Sequence, residues 1–365
     1  MTSNDTIIGT APAPFGVTPN FANPESIAYR VIIACILGPA IAIPICIIRL
    51  YTKRYILRNT GYDDYAIVLA TILALGCSIN TGIQTRNGLG NHIWDVPTYK
   101  FRAFMKLGNI AGPLTYNLAT LFIKLSLCLF YLRFSPSKSF RIAVYAVMTV
   151  SVAYSLPTAF GFAWVCHPVA KYWDFTIKTG YCINVDGYFL GTTCVNAALD
   201  LALLVLPLFI IKDLRLPIRQ KIGVALLLMT GSFVCVISLI RLEAVVRGMH
   251  TNAVDGTWGM VTNFIWLLVE MWLGIVCTCL PTLHAFMRRR TIKRERNAKN
   301  DHDVVRGRRH HRLGPNLASE SQTFEDMRQT SFGPLDSDTD MHGISGVRPI
   351  ASNKSLLTTV STREG

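Results

Sequence analysis

The chain has 365 residues, of which 51% are hydrophobic and only 16% charged, with a mean hydropathy of +0.35. Soluble domains carry roughly 25% charged residues, so this composition excludes an ordinary globular enzyme and indicates an all-α, polytopic membrane protein. The net charge of +14 does not indicate nucleic acid, because the basic residues fall in short segments between apolar runs and in one tail cluster, where membrane topology places them.

Residues 1–25 have neither a basic start nor an apolar core, so no cleavable signal peptide is expected and the first span acts as its own signal. They form a short extracellular tail carrying the sequon Asn4-Asp5-Thr6. A crossing needs about 20 apolar residues. Seven segments within 26–287 qualify, at roughly 26–51, 63–82, 109–133, 142–166, 187–211, 221–245 and 260–287. Lys and Arg favour the first, third and fifth loops and the start of the tail, which puts the N-terminus outside and the C-terminus in the cytoplasm, with the plasma membrane as the expected location. Lys100, Arg102 and Lys106 before the third span oppose this locally. Trp94, Trp164, Trp173 and Trp258 lie near the outer ends of spans, as interfacial aromatics do.

In chain order, the second loop reads GLGNHIWDV (88–96). Gly88 and Gly90 permit tight turning. His92, Trp94 and Asp95 are then either exposed candidates for a ligand or cation, or parts of a loop folded back as a lid. The fourth loop, CHPVAKYWDFTIKTGYC (166–182), carries Trp173 and Asp174 and is closed by Cys166 and Cys182, which are expected to pair outside the membrane. The remaining cysteines read as buried small hydrophobes, without metal-ligand spacing.

Lys124, Asp200 and Glu270 each fall near the middle of an apolar span. Facing lipid, each would cost at least about 2.5 to 3.5 kcal/mol, so they are expected to point inward and satisfy one another. Asn117 and Asn196, one or two turns outward, could extend the polar network, and Arg241 and Glu243 read as lying near the outer end of the sixth span. One reading is an interhelical clamp. The other is the floor of an outward-facing ligand pocket, or part of a proton or ion path. Because Lys124 neutralises only one carboxylate, the second must be protonated, hydrated or paired elsewhere.

After the seventh span, 288–312 is a basic juxtamembrane segment suited to anionic lipid. Residues 313–365 have the composition of a disordered cytoplasmic tail, with Ser331, Ser337 and Thr339 as candidate phosphorylation sites.

The stretches GLGNHIWDV, KLSLCLFYLRF (124–134), CHPVAKYWD with its later Cys182, DLALLVLPLFIIKDLRLPIRQKIGV (200–224), SLIRLE (238–243) and WLLVEMWLGIVCTCLP (266–281) occur in order across 26–290. Together they resemble the fungal rhodopsin-domain family of integral membrane proteins. The resemblance implies seven-helix, receptor-like topology and links to surface sensing or secondary-metabolite clusters. The cysteine-rich extracellular domain of that family's receptor-like members has no counterpart before Cys35.

A retinal Schiff base needs a lysine in the last span, and 260–287 contains none. The third span ends FYLRF, with Arg133 but no preceding acid, and the seventh ends CLPTL without an Asn-Pro-x-x-Tyr motif, so no motif supports G-protein coupling. No hydrolase elbow, phosphate loop or metal cluster appears, so no cofactor is expected. The expected function is non-enzymatic: sensing of a small-molecule ligand and signalling through a cytoplasmic protein partner, within the lipid bilayer. The alternative is a transporter or channel-like component, although no internal repeat is evident.

Overall fold

The computed structural model describes residues 9–134, 138–174, 176–213, 218–251 and 255–313. The expected disordered tail and its three candidate phosphorylation sites lie outside these residues. Two compact units divide the chain, Met1–Arg294 and Glu295–Gly365. The first holds seven helices long and apolar enough to cross a membrane.

These helices are α1 (Ala28–Tyr51), α2 (Tyr62–Arg86), α3 (Thr98–Phe134), α4 (Lys138–Ala159), α5 (Val185–Asp213), α6 (Ile218–Thr251) and α7 (Gly256–Leu313). A π-helical turn, Thr52–Leu57, follows α1 and stops at Arg58, whose φ of 48° is left-handed. We call the end of the bundle bearing the N-terminal tail the N-face, and the opposite end the C-face.

Helix α2 shows what solvent these surfaces are built for. Its polar Thr71, Ser78, Asn80, Thr81 and Gln84 are buried, while Leu69, Ile72, Ile79 and Ile83 are exposed. Water would favour the reverse arrangement, and hydrocarbon favours this one, because only the bundle interior offers hydrogen-bond partners. Small residues bring the helices together: Ala42 of α1 and Ala70 and Ala74 of α2 are fully buried in one cluster with Trp272 and Ile275 of α7. At Gly38 of α1, an added Cβ would meet the Trp272 ring at 2.3 Å, so only glycine admits the indole. The same ring donates its N–H to Ser78 Oγ on α2 at 3.1 Å, tying three helices at one side chain.

Two spans depart from the hydropathy boundaries. Helix α3 begins at Thr98, more than two turns before the expected 109, and carries Lys100, Arg102 and Lys106 within it. The fourth loop accommodates two of those cations: Arg102 Nη2 lies 3.1 Å from Asp174 Oδ1, and Lys106 Nζ lies 5.9 Å above the Trp173 ring. An apolar window stops at charges, whereas the helix continues because another segment pairs them. Helix α4 ends at Ala159, not 166.

The fourth loop is a short antiparallel ribbon, β1 (Cys166–His167) on β2 (Tyr181–Cys182), with Cys166 paired directly opposite Cys182. The expected disulfide joins them. Thr176 donates to Asp174 Oδ1 through both its hydroxyl (2.6 Å) and its backbone N–H (3.1 Å). These bonds, aided by Arg102, hold the Asp174 carboxyl below the usual carboxylate range. Replacing both cysteines by serine should lower stability by about 3 kcal/mol through the lost loop constraint. Thermal unfolding of the detergent-solubilised protein checks this; an unchanged melting temperature would show that the ribbon holds without the bond.

Candidate functional site

The three mid-span ionisable residues lie within one continuous buried network, which includes a second cation. Lys124 Nζ of α3 is 2.9 Å from Asp200 Oδ1 of α5. It also donates to Asn196 Oδ1 (2.9 Å) and to the Asn196 carbonyl (3.2 Å), while Asn196 Nδ2 donates to Glu270 Oε1 of α7 at 2.7 Å. One amide thus bridges the two acidic sites. The Tyr116 hydroxyl of α3 donates to the same Oε1 at 3.0 Å, and Ser238 Oγ of α6 donates to Asp200 Oδ2 at 2.6 Å.

Arg241 is the counter-charge that the sequence reading misplaced. Its Nη1 is 3.2 Å from Glu270 Oε2 and also donates to the Tyr116 hydroxyl. The sequence reading set Arg241 near the outer end of its span, whereas the structure brings it to Glu270 and leaves it 4% exposed. The question of the unpaired carboxylate is resolved by this contact: two cations face two carboxylates, and the ionised cluster is neutral. Neither Glu270 Oε2 nor Arg241 Nε makes a hydrogen bond, so that pair is held by charge more than by bond geometry.

Asn117 stays outside these contacts. Its Nδ2 donates to the Pro113 carbonyl one turn back on its own helix, at 2.9 Å. Tyr116 and Ser238, which the sequence reading did not select, take the places expected of it. A hydroxyl on an apolar helix carries too weak a sequence signal to be picked out. Only the inward position of Tyr116 beside Glu270 distinguishes it.

A cavity of about 50 Å³ adjoins the network on its C-face side, lined by Lys124, Asp200 and Glu270 at the top and by Leu127, Tyr131 and Cys277 below. The charges roof this space, which lies toward the C-face. Ligand pockets for drug-sized molecules run to about 300–1,000 Å³. The space suits a few waters or a small ion better than a metabolite.

The second loop is folded back as a lid. Gly90 N–H donates to the Thr257 carbonyl at 3.2 Å, and Thr257 Oγ1 donates to the Asn91 carbonyl at 2.7 Å, joining the loop to the start of α7. Gly90 has φ 92°, and a Cβ there would meet Ala28 N at 2.7 Å, so glycine is required on both counts. His92 stacks between Trp94 (4.7 Å) and Trp258 (4.2 Å), and its Nδ1 lies 2.5 Å from Asp255 Oδ2. Asp255 Oδ1 also accepts the Ile93 N–H at 3.0 Å.

The N-terminal segment lies over the lid. Thr10 N–H donates to the Val96 carbonyl at 3.2 Å, and Asn20 N–H donates to Asp95 Oδ1 at 2.7 Å. Trp94 and Asp95 are accordingly buried, so of the two readings of this loop the folded-back lid is the one observed. Replacing Asp255 by Ala should cost about 1 to 2 kcal/mol through its lost hydrogen bonds. Faster amide hydrogen exchange over residues 88–97, with the core helices unchanged, is the expected readout; uniform exchange would mean that the latch carries no local stability.

At the C-face a second charge cluster joins α1, α2, α3 and α7. Arg49 Nη2 is 2.7 Å from Asp63 Oδ2, Arg49 Nε is 3.2 Å from Asp64 Oδ1, and Arg49 Nη1 donates to the Thr278 carbonyl of α7. Lys53 contacts Asp63 and lies 2.7 Å from Asp64 Oδ1. Asp64 also accepts the Gly61 N–H, closing the start of α2. Arg133, which lacks a preceding acid in the sequence, finds one across the bundle: its Nη1 is 3.6 Å from Asp63 Oδ1, and its Nη2 donates to Asn59 Oδ1 at 2.6 Å. The sequence reading took the first-loop cations as topogenic charge alone, and missed that Arg49 and Lys53 are buried.

Seven apolar helices packed around buried charge networks define an integral membrane protein of seven-helix architecture. The chain belongs to the fungal rhodopsin domain family, whose model matches residues 48–289. It is 29% identical over 307 residues to a SAT4 family membrane protein of Emericella nidulans, covering 76% of this chain and 74% of that protein. It is 24% identical over 253 residues to Wortmanamides biosynthesis cluster protein C of Talaromyces wortmannii, covering 68% and 67%. It is also 24% identical over 192 residues to Receptor GIN3 of Arthrobotrys oligospora, covering 53% and 45%.

Proposed function

We propose that this protein is a non-enzymatic, receptor-like membrane protein that senses a small molecule at its N-face and signals through its C-face loops and tail. The observation that carries the reading is the bridge formed by Asn196, which couples Lys124–Asp200 to Arg241–Glu270 across four helices. A neutral network of paired charges can exchange partners when helices rotate, and so gives the bundle a discrete element that a ligand can bias. A relative bearing the name of receptor supports this assignment.

In this reading the N-face is extracellular and the membrane is the plasma membrane. The disulfide in the fourth loop supports that placement, since such bonds persist in oxidising compartments. The basic segment 288–312 would then meet the anionic inner leaflet, and a cytoplasmic protein would read the C-face.

The alternative is a transporter or channel-like component. It is favoured by the cavity next to the charges and by the relative named for a biosynthesis cluster. Reconstitution into liposomes separates the two. With a small-molecule library added outside, the receptor reading expects a change in tryptophan emission without proton or potassium flux reported by entrapped dyes. Ligand-dependent flux would overturn it.

A further inference from the structure

Neither charge network nor the latch uses two amides buried where α2 faces α3. Gln84 is fully buried, and Asn80 is 7% exposed. Asn80 Nδ2 and both polar atoms of Gln84 have no hydrogen-bond partner among the described residues. The two share one place. A Cβ on Gly108 of α3 would stand 3.6 Å from Gln84 Oε1, and one on Gly112, a turn further, would stand 3.8 Å from Asn80 Nδ2. Two glycines one turn apart therefore face two amides one turn apart.

This niche lies directly beneath the lid. The Gln84 carbonyl accepts the backbone N–H of Asn87 (3.0 Å) and of Leu89 (3.1 Å), so the second loop starts from the same turn of α2. Each buried, unpaired polar group is destabilising. A helix pair with apolar residues at these positions would avoid that cost. Polar atoms left unpaired in the free protein are available to a ligand that supplies the missing partners.

We propose that this niche binds a neutral, oxygen-bearing small molecule, whose carbonyl and hydroxyl oxygens are held by Asn80 and Gln84 after the lid opens. The niche rests on the sensing reading above and gives it a location. The two side chains are uncharged, so they offer amide N–H donors and one free carbonyl acceptor. An anion buried there would lack a counter-cation, and a cation would lack a carboxylate. A molecule with both carbonyl and hydroxyl groups meets the donors and the acceptor together.

The test uses the full chain purified in dodecylmaltoside, with δ-valerolactone and 1,2-cyclohexanediol as probes and cyclohexane, valerate and cyclohexylammonium as controls. The neutral oxygenated probes should raise the melting temperature saturably, while the controls should not. In N80L/Q84M the apparent affinity should fall about tenfold or more, the equivalent of one lost hydrogen bond, with a melting temperature without probe at or above that of the parent. G108A serves as a second variant: its new Cβ makes only ordinary contact with Gln84, so it should fold normally while weakening the probe shift. No shift in the parent protein, equal shifts with the charged controls, or a shift undiminished in both variants would overturn the niche. Probe binding without any change at the C-face would sink the sensing reading and leave the niche standing. A ligand response preserved in N80L/Q84M would do the reverse.

Discussion

Replacing Arg241 by Met is expected to destabilise the protein by about 3 to 5 kcal/mol, because it leaves Glu270 buried without its counter-charge. Glu270 is 4% exposed and faces Arg241 at 3.2 Å, so water cannot take the place of the guanidinium. Glu270→Gln should be milder. Gln keeps an oxygen for the Tyr116 hydroxyl and the Asn196 amide, although it leaves Arg241 uncompensated. The double variant R241M/E270Q should recover most of the loss, since a buried ion pair replaced by groups of similar volume is often neutral. A double-mutant cycle by thermal unfolding reads this directly. Strictly additive single effects would mean that the two side chains are not coupled. Glu270→Gln also separates clamp from switch: unchanged stability with a lost ligand response would leave the clamp alone insufficient.

A comparable loss, again about 3 to 5 kcal/mol, is expected for Asp63→Asn at the C-face. Asp63 serves Arg49 and Lys53, which are 1% and 4% exposed, and the substitution leaves Asp64 alone to compensate both. Arg133→Ala should cost no more than about 1 kcal/mol, because its side chain is 38% exposed and its 3.6 Å contact with Asp63 is screened. The contrast identifies which contacts hold the helices together and which can be given up. Arg49 ties α1 to the Thr278 carbonyl of α7, whereas Arg133 is the exposed member of the cluster. Equal losses for the two variants would refute that division.

Much of the architecture was legible because the bilayer imposes a single strong rule: apolar runs of sufficient length must be helices. That rule yielded seven spans, and the inward placement of Lys124, Asp200 and Glu270 followed from the cost of exposing charge to lipid. The boundaries of α3 and α4 were less legible. Hydropathy responds to composition, and composition does not reveal that Lys106 rests over Trp173 or that Arg102 meets Asp174. Nor does it reveal that Arg241 meets Glu270 across the bundle, which left one acid without a partner.

What the sequence determined by itself is therefore the class of solvent, the number of helices, the pairing of Cys166 with Cys182 and the set of charges that must turn inward. Which charge meets which was decided only by the tertiary structure, as was the closing of the lid by His92, Asp255 and the N-terminal segment. The physical reason is that span counting measures transfer free energy, which each residue contributes nearly independently of its neighbours. Partner choice depends on helix rotation and depth, and a shift of one turn, 5.4 Å, exceeds the reach of an ion pair.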